Sequence, residues 1–249
     1  MPSRADKLAA AQFGLSARRI TLMRTFLGVL ASAAVLFLLL YFIPTTNNPR
    51  GDQTISGLPW QVEALPNGQS RVFDLVIGSS TLADARRRFG SDGEPTIVAA
   101  PEEVGSLEMY FSDVTAGAVT GKLILTADLP EDVVAAMWKR AAKIEYMQSS
   151  TKKAKPADED LATANGAAIR AIAFIPSVNL DEAIVLQRFG RPDQRLRTSA
   201  TVEHFLYPER GLDVVLDADG KELLQYVAPS RFETLRKPLL TPPGPSHST

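Results

Sequence analysis

The chain has 249 residues, no cysteine and a formal net charge of -1 at pH 7. This length permits one or two domains, and the missing cysteine excludes disulfides, thiolate metal sites, cysteine nucleophiles and a lipid anchor attached through cysteine. Residues 1–43 hold five basic residues against one acidic residue, which leaves 22 basic and 27 acidic residues and a net charge of -5 beyond them. This acidic distal part argues against nucleic-acid binding.

The first predicted element is a transmembrane helix at residues 25–43, TFLGVLASAAVLFLLLYFI, which contains no charged residue. A helix of this length spans roughly 28 Å, close to the thickness of a bilayer's hydrocarbon core. Because the basic residues precede it, the positive-inside rule predicts a cytoplasmic tail at residues 1–24 and a periplasmic bulk, in a single-pass protein of the cell inner membrane. A cleaved signal peptide is the alternative, since Ala31-Ser32-Ala33 has the form of a cleavage site.

Residues 44–68 are rich in Pro, Gly, Asn and Gln and are predicted to form a tether. Trp60 stands out in this polar segment. An aromatic side chain in such a place packs back on its own domain or docks at a membrane interface. Trp60 is therefore a candidate for an interaction surface.

Two stretches beyond the tether, residues 69–148 and 169–237, run in parallel and predict a tandem duplication. Each begins with an apolar strand followed by a short helix that ends in Arg-Phe-Gly, at residues 88–90 and 188–190. The glycine of each motif is predicted to supply a left-handed helix stop. Matching points in the two copies are 98, 100 and 102 residues apart.

Capping signals are predicted at four helix starts. They pair Thr81 with Asp84, Asn179 with Glu182, Asp128 with Glu131, and Ser230 with Glu233. Strand-like segments follow each Arg-Phe-Gly and predict antiparallel meanders, with Asp219-Gly220 as a hairpin turn. The predicted fold class is thus α+β: a transmembrane helix, then two small domains, each a helix, a sheet meander and a closing helix.

Two further segments look unstructured by composition. Residues 149–168 combine a basic run with an acidic run and no aromatic residue, which predicts a solvated linker between the copies. Residues 238–249 hold four prolines and are predicted to form a disordered tail.

The second copy resembles the small outer-membrane lipoprotein domain of the BamE (SmpA/OmlA) type. The matching features are the helix from Asn179 to Gly190, Arg191-Pro192-Asp193, Phe205-x-Tyr207 and Asp219-Gly220. The first copy departs from this pattern, and the chain lacks the cysteine to which such lipoproteins attach lipid. The resemblance implies a small α+β module that binds other proteins and catalyses nothing.

Signals for chemistry are sparse. Histidine occurs only at positions 204 and 247, and His204 alternates with apolar residues along a predicted strand, which is typical of a packing residue. No phosphate-binding, dinucleotide-binding or nucleophile-elbow motif is present. We therefore predict no catalytic residues, no cofactor and no metal site.

Arg86, Arg87 and Arg88 form a basic spot on the predicted first helix. They join Trp60 as the candidate interaction surface for an acidic protein or a lipid headgroup. The sequence favours a non-enzymatic, inner-membrane-anchored docking or scaffolding protein of the cell envelope. The alternative is a carrier or sensor that holds a lipid or small apolar ligand between sheet and helix, next to Trp138.

Overall fold

The structure of the protein is a computed structural model that describes residues 57–101, 103–117, 119–141, 143–147 and 151–240. The predicted cytoplasmic tail, the transmembrane helix and the possible cleavage site lie outside the described residues. The tether up to residue 56 and the tail beyond residue 240 lie outside them as well.

Among the helices in those ranges, none is long and apolar enough to cross a membrane. The longest of them has ten residues. The described residues therefore do not bear out the predicted membrane-spanning architecture, and the inner-membrane location with a periplasmic bulk is not retained. That prediction depended on the uncharged stretch at residues 25–43 and the basic residues before it, all of which lie outside the described residues.

The described chain is predominantly β, with thirteen antiparallel strands in two sheets. The smaller sheet has the order β1-β2-β3, and the larger has the order β10-β11-β12-β13-β9-β6-β5-β4-β8-β7. The strands are β1 (Glu63–Ala64), β2 (Ser70–Val72), β3 (Leu75–Ile77), β4 (Pro95–Ala99), β5 (Ser106–Ala116), β6 (Val119–Ala127), β7 (Lys143–Tyr146), β8 (Lys152–Lys155), β9 (Ile169–Pro176), β10 (Gln194–Arg197), β11 (Val202–Tyr207), β12 (Leu212–Asp217) and β13 (Leu223–Val227).

The prediction of two separate α+β domains was wrong, because the larger sheet continues through both predicted repeats. β9 opens the second repeat, yet it pairs with β13 on one side and with β6 of the first repeat on the other. Ile172 lies between Leu125 and Tyr226 in this register. A strand has two hydrogen-bonding edges, and β9 satisfies both within the sheet. The period-two pattern of β9 predicts a strand without specifying its neighbours.

Five short helices accompany the sheets. They are α1 (Leu82–Phe89), α2 (Glu131–Arg140), α3 (Leu161–Gly166), α4 (Glu182–Phe189) and α5 (Glu233–Leu239). The first four place their buried side chains in one core together with residues such as Leu123 and Phe174 of the larger sheet. Leu235 of α5 packs instead against a small cluster around Leu206 and Phe232. Leu206 alternates with the core residues Phe205 and Tyr207, so α5 covers the opposite sheet face.

The two Arg-Phe-Gly motifs occupy equivalent positions in the fold. The Phe89 ring lies 5.4 Å from that of Phe111, and the Phe189 ring lies 6.1 Å from that of Tyr207. Gly90 and Gly190 end their helices as predicted, with positive φ of 109° and 78°. Their ψ of 169° and -169° is extended, however, so the predicted left-handed helical conformation was wrong.

The predicted caps fare differently at α1 and α4. The capping box of Thr81 and Asp84 is confirmed. The prediction for α4 was wrong, because Asp181 caps it by accepting a 2.7 Å hydrogen bond from the backbone N–H of Ile184. Asn179 lies beyond the cap, where its side chain contacts Lys221. The two candidate caps are two residues apart, and only the residue next to the first helical turn reaches the free N–H groups.

The closing helix of the first copy begins after Pro130 without a side-chain cap, so the predicted capping role of Asp128 was wrong as well. Asp128 forms a 3.0 Å ion pair with Arg231, just before α5. Asp128 thus pairs with a distant segment of the chain and does not form the predicted capping bond. The closing segments of the two copies therefore meet.

The predicted linker at residues 149–168 contains β8 and α3. Ala154 and Ala164 are fully buried, and Arg140 of α2 holds Asp160 through bonds of 2.7 and 3.2 Å. The three lysines of β8 gave this segment its solvated appearance. In a strand, the single Ala154 is enough to place one face against the core.

The β2–β3 hairpin is joined at Phe73 and Asp74, with φ of 54° and 61°. Phe73 is fully buried, and its ring lies 5.3 Å from Phe174 and 5.6 Å from Tyr226. A left-handed backbone is unfavourable for a bulky residue, so packing of the Phe73 ring must offset that cost. The hairpin tip thereby anchors the smaller sheet to β9 and β13.

Candidate protein-docking edge

Two of the three arginines of the predicted basic spot on α1 pair with acidic residues. Arg87 pairs with Asp84, and Arg88 pairs with Asp74 at the hairpin tip. Arg86 Nη1 lies 3.4 Å from the side-chain oxygen of Asn165 in α3. These contacts tie the first helix to its surroundings and leave less positive charge than the sequence indicates.

Asp84 is held in place on this surface by Thr81. It accepts hydrogen bonds from the backbone N–H of Thr81 at 2.7 Å and from the Thr81 hydroxyl at 2.8 Å. Chiefly because of the backbone bond, the pKa of Asp84 lies below its usual value. The carboxylate therefore remains charged and available to Arg87 over the physiological range. An open depression of about 440 Å³ beside it is lined by both acids and both arginines.

Trp60 lies at the other Arg-Phe-Gly motif. The Arg188 guanidinium lies 4.6 Å from the centroid of the Trp60 ring, and Trp60 packs against the edge of the main core. The carbonyl of the preceding Pro59 accepts a 2.8 Å hydrogen bond from the Tyr226 hydroxyl. The structure thus places Trp60 against its own domain, beside Arg188 of α4.

His204 and Asp213 form a buried pair on β11 and β12, with His204 Nδ1 2.8 Å from an Asp213 carboxylate oxygen. His204 is confirmed as a packed strand residue. Burial raises the pKa of Asp213, and the hydrogen bond from His204 opposes this only in part. In the described ranges, no group of three or more acids and histidines could hold a metal ion.

The larger sheet ends at β10 on one side and at β7 on the other. The β10 edge is held by its own charges: Arg195 contacts Glu182 at 2.7 Å and Glu203 at 3.0 Å. Arg197 also reaches Glu203, at 3.2 Å. Charged side chains with fixed partners are a common means of keeping a sheet edge from pairing with another chain.

The β7 edge differs in its backbone. Among the described strands, β7 pairs only with β8, in a register that sets Glu145 opposite Lys153. The Met147 N–H donates to the Thr151 carbonyl at 2.8 Å, which identifies Met147 and Thr151 as a hydrogen-bonded pair of the ladder. Because bonded and non-bonded pairs alternate along an antiparallel ladder, the N–H and C=O groups of Ile144 and Tyr146 point away from β8.

The same two residues carry exposed apolar side chains. Ile144 is 43% exposed and Tyr146 is 76% exposed. Lys152 of β8 places its ammonium 5.4 Å from the Tyr146 ring centroid. Within the described part of the chain, β7 therefore presents backbone groups without a partner strand together with apolar surface, a combination that a protein partner can recognise.

Lysines surround this edge. Glu145 is contacted by Lys143 at 2.6 Å and by Lys153 at 3.0 Å. Hydrogen bonds from these two lysines lower the pKa of Glu145 to about 2. Lys155 reaches Glu94 at 3.5 Å. The β7–β8 hairpin thus combines four lysines with a single glutamate.

The sequence interpretation missed this edge, although two period-two patterns mark it. Lys143-Ile144-Glu145-Tyr146 alternates charged and apolar residues, and residues 152–155 alternate around Ala154. Two such runs five residues apart are compatible with a hairpin. Their high charge made a helix end and a linker the simpler interpretation.

No protein-family model, no curated protein and no solved structure matches this chain. The resemblance of the second copy to the BamE type therefore stays a prediction.

Proposed function

We propose that this protein is a non-enzymatic docking module that binds a partner by adding an extended segment of that partner to β7. The observation that carries the proposal is the outward backbone of Ile144 and Tyr146, together with the exposure of both side chains. Strand addition uses main-chain hydrogen bonds for affinity and alternate side chains for specificity.

The contrast between the two sheet edges supports this proposal. On β10, the arginines are engaged by Glu182 and Glu203, and Arg195 also covers the Phe205 ring at 4.4 Å. On β7, Ile144 and Tyr146 expose apolar side chains, and their outward backbone groups have no described strand to pair with. If both edges were protected alike, neither would be preferred as the docking site.

The alternative of an apolar-ligand carrier receives less support. Two open depressions on the described surface, of about 440 and 390 Å³, are lined in large part by charged and polar side chains. Sites for apolar ligands are enclosed and mostly apolar. Trp138, which suggested such a site, packs partly buried against the main core.

The proposal is tested with a fluorescent eight-residue peptide of alternating Thr and Val, which forms strands and carries no side-chain charge. Binding to the full-length chain is measured by fluorescence anisotropy. Ile144→Pro removes an outward N–H without removing a β7–β8 hydrogen bond, so we expect the variant to fold and to lose binding.

Arg197→Pro is the matched control, because it removes an outward N–H from the opposite edge. The bonded pair of Thr198 and Val202 places that group away from β11. We expect this variant to bind like the wild type. Equal binding by wild type and Ile144→Pro, with the fold of the variant intact, would refute docking at β7.

A further inference from the structure

We infer, resting on the proposed function, that the segment received by β7 is acidic, with carboxylates alternating with apolar side chains. This assigns the chemistry of the partner at the β7 edge.

The two faces of β7 differ sharply in chemistry. Ile144 lies opposite the buried Ala154, so Ile144 and Tyr146 share the face that carries the main core. Lys143 and Glu145 project from the other face, opposite Lys155 and Lys153. An added strand alternates its side chains between the same two faces. Apolar residues of the partner would therefore meet Ile144 and Tyr146, and its remaining residues would lie beside Lys143 and Glu145, with Lys153 and Lys155 one strand further away.

The charge of the lysine face selects carboxylates for those remaining positions. Glu145 is shared by Lys143 and Lys153, and its lowered pKa keeps it ionised at neutral pH without cancelling both cations. Lys155 has only the 3.5 Å contact with Glu94. Opposite charges on neighbouring strands attract, and like charges repel. This face holds three lysines against one glutamate, and its net positive charge therefore favours acids at those positions of the partner.

Charge also decides against a second copy of this chain as the occupant. Two β7 edges brought together would place side by side two hairpins that each hold four lysines and one glutamate. The exposed apolar area of Ile144 and Tyr146 is small, so it does not outweigh that repulsion. An acidic segment gains the same apolar contacts and reverses the sign of the electrostatic interaction.

The test compares four eight-residue peptides on the full-length chain by fluorescence anisotropy. The first alternates Glu and Val, the second Thr and Val, and the third Lys and Val. The fourth contains four Glu followed by four Val, which keeps the composition and abolishes the alternation. We expect the alternating Glu-Val peptide to bind about tenfold more tightly than the Thr-Val peptide at low salt, since each exposed ion pair contributes modestly.

Two changes should remove that advantage, and one control variant should not. In 1 M NaCl the Debye length falls to about 3 Å, so the Glu-Val and Thr-Val peptides should bind alike. The double variant Lys153→Gln, Lys155→Gln should lower Glu-Val affinity severalfold and leave Thr-Val affinity unchanged. Lys221→Gln is the matched control, because Lys221 lies in the turn between β12 and β13, where it contacts Asn179, and should have no effect.

The outcomes separate this inference from the proposed function. Equal affinities of the Glu-Val and Thr-Val peptides, both abolished by Ile144→Pro, would overturn the acidic partner and leave docking at β7 standing. If no alternating peptide bound in a way that Ile144→Pro abolishes, docking itself would fail. A wild-type dimer in sedimentation velocity that Ile144→Pro converts to a monomer would show a second copy at this edge and overturn the inference.

Discussion

Replacing Phe73 by alanine tests whether one buried ring anchors the smaller sheet to the larger one. Phe73 is fully buried against Phe174 and Tyr226. Truncating a buried phenylalanine to alanine costs ~3–5 kcal/mol, which includes the lost ring contacts and the cavity left behind. Alanine keeps the Cβ and the same left-handed backbone, so strain at φ of 54° cancels in the comparison.

We therefore expect Phe73→Ala to lower the free energy of unfolding by about 4 kcal/mol. Urea unfolding followed by circular dichroism measures this loss, and with an m-value of ~2 kcal/mol/M the midpoint should fall by about 2 M. Tyr146→Ala removes a similar ring from an exposed position and should change stability by no more than about 0.5 kcal/mol. A loss below about 1 kcal/mol for Phe73→Ala would refute the anchoring role.

Three further changes test other parts of the structure by the same unfolding assay. Asp181→Ala should cost about 1 kcal/mol, because it removes the cap of α4, whereas Asn179→Ala should cost almost nothing; the reverse order would restore the cap predicted from sequence. Gly211→Ala should cost about 2 kcal/mol or more, since φ is 65° and a Cβ would collide with the Val227 carbonyl; a smaller cost would mean that the backbone can shift. Asp213→Asn should gain stability relative to wild type as the pH rises above about 4, because the folded carboxyl has a raised pKa and loses its proton less readily than the unfolded one. A wild-type advantage that grows with pH would contradict this sign.

Local signals in the sequence were sufficient to predict a helix cap, two helix ends and a hairpin turn. The capping box at Thr81 and the glycine stops at Gly90 and Gly190 each depend on residues a few positions apart. The Asp219-Gly220 turn between β12 and β13 is of the same kind. Such interactions are determined by backbone geometry within one turn, so a sequence pattern predicts them well.

Pairings between distant segments could not be predicted in the same way. β9 serves both halves of the sheet, and Asp128 pairs with Arg231 across 103 residues. Nothing in the alternation of β9 distinguishes β6 from any other strand with a compatible face. The error of two separate domains follows from this, because the duplication was taken to imply two closed sheets.

The candidate surface shows the same limit. Arg86, Arg87 and Arg88 are adjacent in sequence, so they look like a basic spot, but the acids that neutralise Arg88 and Arg87 come from a hairpin tip and a helix cap. Which strands end a sheet depends on the whole topology. The docking edge therefore becomes visible only when the order of all ten strands is known.

Hydrogen exchange at single amides tests docking at β7 most directly. The full-length chain is compared with and without the alternating Glu-Val peptide, and the exchange rates of the four β7 amides are measured by NMR. Strand addition should slow exchange at Ile144 and Tyr146, whose N–H groups point outward, and leave Lys143 and Glu145 nearly unchanged because they already bond to β8. Unchanged exchange at Ile144 and Tyr146 when the peptide is saturating would contradict docking at this edge.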